Sequence, residues 1–108
     1  MFNFGDLSQM MKQFQAMKEN IERAKEELSK EKVVVDVGGG MVKVVVNGIG
    51  EVVDVDIDPS VLNDKEVLKD LLISALNEAM DRSRELMAQK LSEASGLPLN
   101  LGKFGGLF

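Results

Sequence analysis

The sequence predicts an α+β fold of order α-β-β-β-α, a three-stranded antiparallel sheet between two long helices, and three patterns carry that prediction. Apolar residues at 3-then-4 spacing run from Leu7 to Leu28. A valine-rich alternating stretch, broken by two glycine-containing turns, follows from Val33 to Ile57. A second stripe at helical spacing then runs from Leu68 to Ala94.

In the first pattern, Leu7, Met10, Phe14, Met17, Ile21, Ala24 and Leu28 repeat through three heptads and form a seam of the coiled-coil kind. Asp6 or Ser8 offers an N-cap, and Lys30-Glu31-Lys32 precedes the β-branched valines, so the helix is expected over residues 6 to 31. At about 1.5 Å per residue it is about 40 Å long, more than a chain of this size can cover along its whole length. Part of it must project or pair.

The strands alternate. Val33, Val35 and Val37 share a side, as do Val42, Val44 and Val46, and then Val53, Val55 and Ile57, with Asp54 and Asp56 facing the other way. One face is therefore built for burial against a helix. Gly38-Gly39-Gly40 joins the first two strands, and Asn47-Gly48-Ile49-Gly50 joins the next two, where Asn-Gly offers the positive φ of tight hairpins. The sheet has two unpaired edges, and its second face is expected to hold Met41, Val45 and Val52 among charges. Self-association would cover both liabilities.

Asp58-Pro59-Ser60 closes the last strand, and Asn63 with Glu66 reads as a capping pair for the second helix. Leu68, Leu72, Leu76, Met80, Met87, Leu91 and Ala94 form its stripe, widened early by Leu71, Ile73, Ala75 and Ala79, so the first half is expected to pack on the sheet. Gly96 and Pro98 stop it. Residues 1–96 thus read as a single α-β-β-β-α domain and residues 97–108 as a flexible Gly/Leu/Phe tail.

The chain has 108 residues, 44% of them hydrophobic, which suits one modest core. It contains no Cys and no His, so disulfides, thiolate metal sites and the usual general base are missing, and a cofactor-free cytoplasmic protein is expected. No apolar run approaches the roughly 18 to 20 residues of a membrane span. The net charge of −5 argues against a polyanionic partner, yet its distribution is uneven. Residues 6–32 carry six basic and six acidic groups, whereas residues 33–60 carry Lys43 against Asp36, Glu51, Asp54, Asp56 and Asp58. The acidity sits in the sheet, and the sequence from Arg82 onward is locally positive.

Met1-Phe2-Asn3-Phe4 with Met10-Met11-Lys12-Gln13, the run Gly39-Gly40-Met41-Val42-Lys43-Val44 followed by Val46-Asn47-Gly48, and Ile57-Asp58-Pro59-Ser60 resemble the YbaB/EbfC family of bacterial nucleoid-associated proteins. The likeness covers nearly the whole chain, and the ordered pair of strand-turn and Ile-Asp-Pro-Ser segments is its most specific part. The resemblance implies a homodimer whose sheets join the protomers and whose helices extend like the arms of tweezers. It also implies DNA binding in the nucleoid, with a role in chromosome organisation and gene regulation.

Each candidate site has a plainer reading. Gly38-Gly39-Gly40 joins two strands rather than leading into a helix N-terminus, so it is a turn and not a phosphate cradle. Asp54, Asp56 and Asp58 lack the Gly and terminal Glu of a calcium loop and alternate as a strand does. Asp64, Asp70, Glu78 and Asp81 come with no nucleophile, so no enzyme activity, metal or small-molecule substrate is expected. The candidates for DNA phosphates, on charge alone, are Lys12, Lys18, Arg82, Arg84 and Lys90, though charges on an exposed helix are ordinarily only solvated. Phe2, Phe4, Phe14, Phe104 and Phe108 are the whole aromatic set, and none lies in a strand. Duplex DNA held by its backbone, with low or modest sequence specificity, therefore fits better than a stacked single strand. The alternative is a protein-interaction module using the heptad helix and the tail, which the acidic charge favours.

Overall fold

The structure, a computed structural model, describes residues 4–95. Helix α1 (Phe4–Lys30) leads into strands β1 (Lys32–Val37), β2 (Val42–Asn47) and β3 (Val52–Ile57), then a 3-10 turn (Pro59–Val61) and helix α2 (Lys65–Ser95). The sheet is antiparallel in the order β1-β2-β3, so the expected architecture of two helices and a three-stranded sheet is the observed one. The tail over residues 97–108 lies outside the described residues.

Both helix starts differ from expectation by a short shift. Asp6 lies within the first turn of α1 rather than capping it. The cap of α2 is Asp64, whose Oδ1 accepts from the Val67 N–H at 3.2 Å, one residue after the Asn63 favoured from sequence. Asp58 caps the 3-10 turn by accepting from the Ser60 N–H at 2.8 Å, and this bond holds its carboxyl below the usual range.

The core forms where the first half of α2 crosses two strands. Val35, Val42, Val44 and Val46 are buried with Ala75 and Ala79, and Leu68, Leu71, Leu72, Leu76 and Met80 pack around them. A helix is about 10 Å across and neighbouring strands are about 4.8 Å apart, so one helix covers two strands and not three. Helix α2 packs on β1 and β2. In β3, Val52 is 48% exposed, Val53 51% and Val55 39%, although Val55 lies directly across from the fully buried Val44.

A bulge between Val45 and Val46 adds a further turn to this edge. It pairs Val46 with Val52 and Val45 with Asp54, leaving Val53 unmatched. Cross-strand partners share a face, so Val52 stands on the helix side of the sheet and not among the charges of the second face.

The two glycine turns work differently. Gly38, Gly39 and Gly40 all have positive φ, as a tight hairpin turn needs. In the second hairpin positive φ falls on Gly50, not on Asn47 or Gly48. Gly48 is required by proximity instead, because a Cβ there would lie 2.7 Å from both the Leu28 carbonyl oxygen and the Leu28 side chain. Its N–H donates to the Leu28 carbonyl at 2.9 Å and to that of Glu31 at 3.2 Å, satisfying carbonyls that the end of α1 would otherwise leave open. Beside it the buried Ser83 hydroxyl of α2 donates to the Asn47 carbonyl at 2.9 Å. The Asn47 Oδ1 accepts from the Ile49 and Glu51 N–H groups, and its Nδ2 donates to Glu51 Oε1 at 2.8 Å. Asn47-Gly48 is thus the point where α1, α2 and the β2–β3 hairpin are tied together.

Candidate nucleic-acid interface

Where the cations stand follows from how the two helices overlap. The second half of α2 runs back along α1, with small or buried residues at the crossing: Ala24 and Leu28 from α1, Ser83 and Ser92 from α2. A shallow groove lined by Asn20, Arg23, Ala24 and Glu27 of α1 and by Lys90, Glu93 and Ala94 of α2 marks the end of that overlap. Beyond it α1 continues from Phe4 to Glu19 with no other described element beside it, about 24 Å at helical rise. Added to the roughly 46 Å of α2, this accounts for a longest dimension of 71 Å, with 27 and 16 Å across it. The expectation that part of the first helix projects is met by its N-terminal half.

The five sequence candidates separate into three environments. Lys12 and Lys18 are exposed on the projecting half of α1 and form no ion pair among the described residues. Six residues apart, they point about 120° from each other around the helix. Arg82 and Arg84 are exposed on α2, but each is paired within its own helix: Arg82 with Glu78 at 2.8 Å and Arg84 with Asp81 at 2.6 Å. Pairs of this kind contribute roughly 0.3 to 0.5 kcal/mol, so a phosphate could displace them at small cost, although the displaced carboxylate would remain nearby.

Lys90 belongs to a third setting, the α1–α2 contact. Its Nζ lies 3.2 Å from Glu31 and 3.6 Å from Glu27, and its side chain is 29% exposed. The hydrogen bond and charge of Glu31 outweigh the effect of desolvation and, with a lesser contribution from Glu27, push its pKa above the ordinary value. Here the side chain holds two helices together.

Helical arithmetic adds residues that ranking by local charge passed over. Lys12, Arg23 and Lys30 are separated by eleven and seven residues, which returns to nearly the same angle around a helix, and all three are exposed. They form a line on the side of α1 away from the apolar seam. Glu19 and Glu26 stand beside that line and keep its field weak. The sheet's outer face, with Asp36, Lys43 and Asp56 side by side across the strands, is acidic on balance. Among the described residues, no group of three or more carboxylates is placed to hold a metal ion, and no helix is long and apolar enough to cross a membrane.

Comparison with known proteins gives this geometry a setting. The sequence profile of the YbaB/EbfC DNA-binding family matches residues 3–97. The chain is 62% identical to the nucleoid-associated protein SYO3AOP1_1366 of Sulfurihydrogenibium sp. (strain YO3AOP1) and 54% identical to a nucleoid-associated protein of Persephonella marina, in both cases over the full length of each chain. Among solved structures it resembles the uncharacterized protein HP0035 from Helicobacter pylori, with a TM-score of 0.68 and 35% identity, covering 79% of this chain and 88% of that one.

Proposed function

The chain belongs to the YbaB/EbfC DNA-binding family, and from that premise we propose that two copies join edge to edge through β3 into a homodimer that binds duplex DNA as a nucleoid-associated protein. The contacts are made mainly to the phosphate backbone, with low or modest sequence specificity, and serve chromosome organisation and gene regulation. The observation that carries this reading is the exposure of Lys12 and Lys18, free of acid partners among the described residues, on the half of α1 that projects past α2.

Two further features support it. The half-exposed valines of β3 and the unpaired backbone along its outer side form an edge that a second copy can complete, covering the apolar face left by α2. A dimer then carries two projecting arms, each needing only a few phosphate contacts because the second arm binds at high effective concentration. Such a bivalent clamp tolerates a net charge of −5, since the acidic groups of the sheet stand away from the arms.

A duplex-DNA titration at low and moderate salt, with unrelated sequences, tests the proposal. Lys12→Ala/Lys18→Ala is expected to weaken binding to all sequences alike and to reduce the slope of log K against log salt by up to about 4, one unit for each of two lysines in two protomers. Arg82→Ala/Arg84→Ala is expected to have the smaller effect. Binding that ignores salt, or no binding to any duplex at low salt, would sink the proposal. The exposed half of the α1 seam favours a second reading, a module that docks another protein through that seam and residues 97–108 together. Removing residues 97–108 would then abolish docking while leaving phosphate contacts in place.

A further inference from the structure

Among the described residues the seam of α1 is covered along only half its length, and the chain carries the material to cover the rest. Ala24 and Leu28 are buried, Met17 and Ile21 are half-buried at the end of the overlap, and Phe4, Leu7, Met10, Met11 and Phe14 are 50 to 91% exposed. Five large apolar side chains on a single projecting helix form a patch of the kind that soluble chains ordinarily cover. We propose that residues 97–108 of the same chain lie along this stripe and continue the packing that α2 begins.

Three observations select this occupant. The first is position: α2 ends at Ser95 with Glu93 and Ala94 beside Asn20 and Ala24 of α1, at the place where the seam becomes exposed. A chain leaving there and keeping its heading runs directly onto the uncovered stripe. The second is length. The uncovered half is about 24 Å long, and the thirteen residues after Ser95 reach about 20 Å if coiled as a helix and about 43 Å if fully extended. The third is composition: Leu97, Leu99, Leu101, Phe104, Leu107 and Phe108 face a single charge, Lys103, in that stretch. Attachment to α2 gives this segment an effective concentration that a separate partner must exceed. Arg23 and Lys30 lie on the side of α1 away from the stripe, whereas Lys12 borders the groove that Phe4, Leu7 and Met11 line and Lys18 stands one and two turns from Phe14 and Met11 on the stripe's own side, so a docked segment passes beside these two lysines. No observation behind the inference involves DNA binding, so the two readings stand or fall separately.

The absence of native Cys allows a direct test by disulfide trapping in the full chain. Met10→Cys is combined in turn with Asn100→Cys and Lys103→Cys and oxidised gently under native conditions. Gln9→Cys with the same partners is the control, because position 9 lies about 160° around the helix from the middle of the five-residue stripe. Equal amounts of 14N- and 15N-labelled chain are unfolded together and refolded before oxidation, and the linked peptides are identified by mass. The expected result is linkage at Met10 at least about tenfold above Gln9, as effective concentration at a docked site predicts, in peptides of one isotope only. Linkage no greater than at Gln9 would overturn the proposal, and so would mixed-isotope peptides, which would assign the stripe to a second copy. As a second readout without Cys, deleting residues 97–108 is expected to speed amide exchange over residues 4–19. Unchanged exchange there would count against the docked segment even if trapping failed for reasons of geometry.

Discussion

Strands β1 and β3 are the two edges of one sheet and are equally apolar in composition, KVVVDV against VVDVDI, yet Val35 at the centre of β1 is 1% exposed and Val55 at the centre of β3 is 39% exposed. The difference lies in what sits above them. A single helix lies over β1 and β2, and its width runs out before β3. An edge strand's sequence therefore does not tell whether its apolar side is satisfied within the chain or kept for another molecule. The number of strands per covering helix does.

The sharpest way to break this comparison is to place a charge at both positions. Val35→Asp buries a carboxylate without a partner and is expected to cost about 4 kcal/mol or more, enough to unfold a small domain. Val55→Asp should leave helix content and melting of the isolated chain little changed while holding it at 11.8 kDa in sedimentation instead of twice that mass. Equal loss of fold in both variants would mean that β3 is already covered within the chain.

The two hairpins that carry these edges sharpen the comparison at smaller amplitude. Gly48→Ala drives a Cβ to 2.7 Å from the Leu28 carbonyl oxygen and is expected to lose about 1 to 3 kcal/mol in chemical denaturation, as overpacking does. Gly39→Ala meets no atom within 4 Å and should cost only the left-handed backbone conformation, about 1 to 2 kcal/mol. The β2–β3 turn is thus fixed by a neighbour and the β1–β2 turn by backbone preference.

The smallest effect concerns the placement of α2, on which the covering of β1 depends. Because Glu31 and Glu27 raise the Lys90 pKa, the contribution of that cluster is fully present below the ordinary value of 10.5 and is lost as pH rises through the higher folded value. Thermal melts of the native chain should therefore fall in the alkaline range by slightly more than those of Lys90→Met. Asp58 acts in the opposite sense: its lowered pKa gives stability that is present above 3.8 and is lost as pH falls through the lower folded value.

The parts of this molecule legible in its sequence are those set by local periodicity. The heptad seam, the alternating valines and the stripe of α2 each announce their element, and the richer apolar half of α2 is the half that meets the sheet. What was not legible depends on segments distant in the chain. Nothing near Gly48 indicates that α1 ends against it, so the Asn-Gly pair reads as a turn of the ordinary kind. The unmatched Val53 turns Val52 to the helix side, which strict alternation does not foresee. In the candidate interface, charge alone could not separate Lys90 from Lys12, because Glu27 and Glu31 reach Lys90 from the opposite end of the chain. The partners of Arg82 and Arg84, by contrast, lie one helical turn away and follow from spacing.

The bond from the Gly48 N–H to the end of α1 gives the molecule a mechanical character. Helix α1 is a stiff rod whose projecting end lies far from its anchorage, and that anchorage is shared between the length of α2 it packs along and the turn that also sets the line of β3. The rod is a lever and this double seat its fulcrum. A sideways load at the tip arrives multiplied at the seat, and any rotation of the seat swings the tip through a larger arc. Stiffness where two helices and one turn meet therefore governs how far the distant tip can swing.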